Sequence, residues 1–98
     1  MFIVILTYTK PLEEVNQHVE AHRSFLDRYY AEGVLLVSGR QVPPQGGLMV
    51  ARAESKEKLQ DILKQDPYQI AGVASYEIIE FSPIKWQPEL EPFVKAFG

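Results

Sequence analysis

The longest periodic signal in the chain is helical. From residue 11 to about residue 32, Leu12, Val15, Val19, Phe25, Leu26, Tyr29 and Tyr30 recur at helical spacing, which lays them along one face. Thr9 stands where an N-cap is expected, Pro11 falls near the first helical position, and Glu13 and Glu14 suit the positive end of the helix. Gly33 marks its end. The other apolar runs are short and rich in β-branched and aromatic residues. They predict strands over 2–8, 34–38, 47–53 and 75–81, the last closed by Pro83. Residues 39–46, with Pro43, Pro44 and Gln45, read as a connection between strands. Ser55 caps a second helix over about 56–65, whose apolar positions are Leu59, Ile62 and Leu63. Asp66-Pro67 stops it, and Gly72 marks the loop that follows.

The order β-α-β-β-α-β predicts an α+β, ferredoxin-like fold, a four-stranded antiparallel sheet with both helices on one face. A sheet whose second face meets water alternates apolar with polar residues. The first strand does not, because Phe2, Val4 and Leu6 alternate with Ile3 and Ile5. Val34 to Val37 and Leu48 to Ala51 repeat the pattern, and Tyr76 to Phe81 shows it more weakly. A chain of 98 residues offers no third layer for that face. Each apolar side chain left in water forgoes about 1.5–3 kcal/mol of burial, and a contiguous apolar patch invites association. Two covers are open: a second copy placed sheet against sheet in a C2 homodimer, or the tail from Trp86 to Gly98 folding back with Trp86, Leu90, Phe93, Val94 and Phe97.

Composition narrows the class. The length suits a single domain over 1–98, with a core over 1–83 and a packing tail over 84–98. A net charge of -3 and the lack of any basic run argue against nucleic acid as a partner. With no cysteine there is no thiolate nucleophile, disulfide or Cys-based metal site. Residues 1–8 lack the basic start of a signal peptide, and no apolar stretch approaches the ~20 residues that span a bilayer. The expectation is a soluble, cytoplasmic protein with no membrane partner.

His22 changes the picture most. It lies three residues after Val19 and four before Leu26, so a titratable side chain points where the apolar stripe points. Such a group is either satisfied inside the core or lines a cavity. Asp66 ends the second helix, on the same sheet face. A carboxylate there can accept the imidazole N–H, fix the tautomer and leave the other nitrogen free as general base or acid. Asp66 before Pro67 also suits the N-cap of a short turn through Tyr68 and Ile70, and two carboxylate oxygens can serve both roles.

Ser38 can donate to a substrate or position His22, or simply end a strand. No G-x-S-x-G elbow surrounds it, which argues against a serine hydrolase. Arg40 can hold an anionic substrate or sit solvated on the surface. His18 and His22 have the four-residue spacing of helical metal ligands, but no third ligand is assigned and no metal is expected. Gly46-Gly47 precedes a strand rather than a helix, so it is not a phosphate loop. Tyr8, Tyr29, Tyr30, Tyr68 and Tyr76 read as core or pocket lining.

Ala21-His22-Arg23, Ser38-Gly39-Arg40, Gly46-Gly47, and Asp66-Pro67-Tyr68 followed by Ala71-Gly72-Val73 together resemble the YciI-like (YCII-related) family over about residues 1–83. The resemblance implies a protomer of the dimeric α+β barrel superfamily, which includes muconolactone isomerases. It also implies a sheet-to-sheet dimer and an active site built on a His and an Asp, here His22 and Asp66. Ser38 matches a position near the family's pocket. One branch resembles dehydrochlorinases of chlorinated hydroxyquinols, which implies a lyase or isomerase of small cyclic metabolites. Arg40 stands where some relatives carry Pro, and the segment beyond Trp86 lies outside the shared pattern.

Two functions follow as expectations. In the first, the chain is an enzyme without a cofactor. His22 moves a proton on a small cyclic or carbonyl metabolite, Asp66 orients His22, and Ser38 and Arg40 place the substrate. In the second, the chain is a non-catalytic small-molecule-binding or interaction module in which His22 only satisfies the core.

Overall fold

The computed structural model describes residues 1–96. The elements run β1 (Phe2–Tyr8), α1 (Leu12–Asn16), α2 (Val19–Ala31), β2 (Leu35–Arg40), β3 (Gly46–Ala51), α3 (Lys56–Leu63), α4 (Pro67–Ile70) and β4 (Ala74–Glu80). A 3₁₀ turn (Pro88–Leu90) and α5 (Glu91–Val94) follow. The strands pair antiparallel throughout in the order β2-β3-β1-β4, the ferredoxin-like arrangement expected from the element order. Phe2, Val4 and Leu6 of β1 and Met49 and Ala51 of β3 are buried in one cluster with Val15, Phe25, Tyr29, Leu59, Leu63 and Tyr68 from the helices. Among the described residues no helix is long and apolar enough to cross a membrane.

Four local features differ from the reading of the periodicity. The first helix is broken. Gln17 and His18 bond back three residues, to Glu14 and Val15, and His18 leaves helical geometry before α2 begins. Asn16 and His18 are weak helix formers, so little resists the break. The apolar stripe runs through it unchanged and hides it. Thr9 does not cap α1; its hydroxyl donates to the Gly72 carbonyl at 3.0 Å and ties the start of the helical segment to the turn before β4. The helix of 56–65 ends at Leu63, because Asp66 opens α4 with its side chain accepting from the Tyr68 N–H.

The fourth feature is β2, which runs to Arg40 instead of ending at Ser38. It carries a bulge between Leu35 and Val37. Leu35 pairs with Ala51, yet Ser38 pairs with Met49 and Arg40 with Gly47. Ala51 and Met49 both lie on the helix-covered face, opposite Phe2 and Val4. Leu35 and Ser38 are three apart, so in a regular strand they would face opposite sides. The extra residue resets the alternation and turns Ser38 and Arg40 onto the face that holds the helices.

The second face of the sheet stays open in the protomer. Val37, Leu48 and Ile79 are 55%, 41% and 44% exposed. The described part of the tail docks elsewhere: Arg52, just past β3, donates to the Pro92 and Phe93 carbonyls at 3.2 and 2.9 Å and lies 4.4 Å from the Phe93 ring centroid. With the tail so placed, Val37, Leu48 and Ile79 stay exposed. Phe97, one of the tail's apolar residues in the sequence, lies outside the described residues.

Candidate active site

The break before α2 places His22 in the first turns of that helix, where its main chain bonds back to His18 and its ring leans over α4. Asp66 is the N-cap of α4, a position carboxylates favour because the first N–H groups of a helix need acceptors. The two meet as expected: His22 Nδ1 lies 2.8 Å from Asp66 Oδ1. The same oxygen accepts from the Tyr68 N–H at 3.0 Å, and the Tyr76 hydroxyl donates to Asp66 Oδ2 at 2.6 Å. The carboxylate is wholly buried, while the His22 side chain is 12% exposed.

The acceptor fixes the donor. A carboxylate that takes hydrogen bonds from an amide and a phenol takes the third from Nδ1–H, so the neutral imidazole carries its free lone pair on Nε2. Nε2 has no hydrogen-bond partner among the described residues, and none of their buried side-chain polar atoms lacks one. Nε2 is therefore accessible, on a residue that lines a cavity of about 260 Å³. Pockets for drug-sized ligands run to ~300–1,000 Å³, so the cavity has room for a small molecule only.

Aromatic rings hold the imidazole from below and behind. It stacks on Tyr68 at 3.9 Å between centroids and 7° between planes, and Tyr8 meets Tyr68 edge-on at 6.3 Å. Burial pushes the Tyr68 phenol above its ordinary range; the charges of Tyr8 and Asp66 add to this, and those of Arg40 and Arg23 oppose it. The Tyr76 phenol is pushed far upward, by burial first and then by the charge of Asp66 and the bond to it. Tyr76 is thus held as a neutral donor.

Ser38 and Arg40, turned inward by the β2 bulge, also line the cavity. Ser38 Oγ pairs with the Tyr30 hydroxyl at 2.6 Å and not with His22. Gly46 and Gly47 form part of the floor. A Cβ on Gly46 would run into the Leu6 carbonyl, so the chain there admits only glycine. Gly47 stands opposite both Leu6 and Arg40 and leaves the space between them unfilled. His18 stays at the helix break, and among the described residues no group of three or more His, Cys, Asp or Glu side chains is placed to hold a metal ion.

Two residues of the site escaped the reading of the sequence. In the sequence Tyr76 reads like the other tyrosines, although its place two residues before Ile78 puts a polar tip on the core face, where a phenol needs a partner. Arg23 appeared only as part of a motif, and its signal was adjacency to His22 on the turn of helix that faces the cavity.

Comparison with known proteins places this chain in a family. The pattern of the YCII-related domain matches residues 1–82. The chain is 36% identical over 77 residues to the uncharacterized protein YjpA of Bacillus subtilis (strain 168), covering 78% of this chain and 91% of that one. Its fold is similar, with a TM-score of 0.70 and 19% identity, to 5-chloro-2-hydroxyhydroquinone dehydrochlorinase (TftG) of Burkholderia phenoliruptrix AC1100, solved with 2,5-dihydroxybenzoquinone. That match covers 83% of this chain and 93% of the other. The family match spans nearly the whole chain, and the chain belongs to the YCII-related family.

Proposed function

We propose that this protein is an enzyme that moves protons on a small cyclic or carbonyl metabolite, as a lyase or isomerase, with His22 as general base and acid and with no cofactor. One observation carries the reading: His22 Nδ1 is fixed by a buried, fully hydrogen-bonded carboxylate while Nε2 is left accessible beside a small cavity. In the reaction, Nε2 takes a proton from a carbon next to a carbonyl or from a ring hydroxyl. The electron pair moves into the conjugated system, giving an enolate or phenolate. The imidazolium that forms is stabilised by Asp66 and by the face of Tyr68 beneath it. Return of the proton to another atom isomerises the substrate; collapse of the enolate with loss of a leaving group eliminates it. Ser38, held by Tyr30, places a substrate oxygen. The fold likeness to a dehydrochlorinase makes hydroxylated quinones and their chlorinated precursors the first compounds to try.

The test is a panel of hydroxyquinols, cyclic enones and lactones incubated in D₂O and followed by proton NMR, with 5-chloro-2-hydroxyhydroquinone included for chloride release. A positioned general base contributes about 10²–10⁴-fold. His22→Gln is therefore expected to lower turnover at least a hundredfold with the fold intact. Undiminished turnover would remove His22 from the chemistry.

We also infer that a second copy covers the open face, sheet against sheet, as a C2 homodimer. Val37, Leu48 and Ile79 are exposed there beside the half-buried Ile3, Ile5 and Val50, and the tail is engaged at Arg52 instead. A symmetric pair buries the same patch on both copies. Light scattering at micromolar concentration is expected to give twice the mass of 11.2 kDa, reduced to the protomer by Ile79→Lys. A wild-type protomer under those conditions would reject the pairing.

A further inference from the structure

The cavity that holds His22 is cationic at its rim, although the chain as a whole is acidic. Arg23, the residue after His22 on α2, and Arg40, at the end of β2, both line it. No aspartate or glutamate does; Asp66 stands behind the imidazole, sealed from the space by His22 and Tyr68. Among the described residues neither arginine forms an ion pair, whereas Arg28, Lys58, Lys64 and Lys95 all do. Both guanidinium charges also oppose the rise of the Tyr68 phenol's pKa. The bulge in β2 turns Arg40 inward, and the glycine opposite it keeps the floor empty. An arginine presents a planar fork of donors that fits a planar oxyanion bidentately. Two of them facing one small cavity lined by no carboxylate leave their donors to solvent or to a bound anion.

We propose that the substrate is an anion, held through a delocalised oxyanion by Arg23 and Arg40 while its ring or carbonyl carbon lies against His22 Nε2. The oxyanion is either a carboxylate or the ionised enol of a hydroxyquinone; both present a planar, two-oxygen edge. This rests on the reading of the cavity as a substrate site but not on His22 being the base. The clamp would also stabilise the enolate formed on proton removal, because negative charge grows toward the groups that already hold the anion.

The experiment uses two matched pairs of probes on the full chain: benzoate with benzamide, and 2,5-dihydroxybenzoquinone with its dimethyl ether. The chain has no cysteine thiol to add to the quinone. Binding is measured by calorimetry at 20 mM and 300 mM salt. The acid is expected to bind at least tenfold more tightly than its neutral partner in one or both pairs. The ratio should shrink at high salt and fall to near one in the Arg23→Gln/Arg40→Gln double variant, whose melting temperature stays within a few degrees. The pair that responds names the source of the oxyanion. Equal affinity within both pairs, preference for the neutral partner, or a preference untouched in the double variant would overturn the clamp. His22→Gln keeps the two failures apart. It should retain the acid preference, and its turnover speaks only to the proton-transfer role.

Discussion

On one side of the cavity stands Asp66, wholly buried, with a histidine, an amide and a phenol donating to its two oxygens. On the other stand Arg23 and Arg40, exposed at the rim and without an acidic partner among the described residues. Both sides put charge near the same imidazole, yet they answer to different costs. A buried charge must be fully partnered within the protein or it destabilises the fold. A charge at the rim is solvated, so leaving it unpartnered costs the fold little, and its pairing can wait for a ligand. The buried wall fixes the orientation of His22; the rim selects what comes to it.

The largest expected effect tests the buried wall. Asp66→Ala leaves the Tyr68 N–H, the Tyr76 hydroxyl and His22 Nδ1 without their acceptor. The Tyr68 N–H and the Tyr76 hydroxyl are then stranded, while His22 can change tautomer; at about 1–3 kcal/mol for each stranded buried donor, the variant should lose roughly 2–6 kcal/mol in denaturant unfolding. A loss under 1 kcal/mol would mean that water replaces the carboxylate easily and the wall is not closed.

Tyr76→Phe comes next. It removes one donor and leaves a hydrogen-bonded carboxylate short of one partner, at a cost of about 1–2 kcal/mol. It also has a signature in pH. The fold raises the pKa of both Tyr76 and Tyr68, so it favours their neutral forms. That contribution is complete below the unfolded tyrosine value of about 10 and drains away as pH rises above it. Stability should therefore decline on the alkaline side, and Tyr76→Phe should flatten the decline by as much as one proton's worth, ~1.4 kcal/mol per pH unit. An unchanged alkaline slope would show that Tyr76 ionises as freely folded as unfolded.

The rim should respond least in stability. Arg23→Gln and Arg40→Gln are each expected within about 0.5 kcal/mol of wild type, as for surface positions free of structural partners. A larger loss would reveal a structural role for that arginine and blur the contrast between the two sides.

The two walls were unequally legible in the sequence. The phase of the helical stripe brought His22 inward, and the Asp-Pro pair at a helix stop put a carboxylate on the same sheet face. In β1 both faces are apolar, so the strand alone does not tell the buried Phe2, Val4 and Leu6 from Ile3 and Ile5. The break at Gln17 and His18 was hidden because apolar spacing continued through it. The rim was harder to read. The run Val34-Leu35-Leu36-Val37 is apolar on both faces, so it carries no phase, and nothing in it reveals the bulge that turns Ser38 and Arg40 inward. Arg23 and Tyr76 take their meaning from neighbours far away in the chain, which spacing along one element does not report.

The central claim is the state of a single ring: Nδ1 donating to Asp66 and Nε2 open to the cavity. Nitrogen-15 NMR of the imidazole reads it directly. The neutral ring of His22 is predicted to be the Nδ1–H tautomer, switching toward the common Nε2–H form in Asp66→Ala, with the Nε2 signal moving when benzoate or 2,5-dihydroxybenzoquinone is added. An Nε2–H tautomer in the wild-type protein, or an Nε2 resonance indifferent to every probe that binds, would contradict the account.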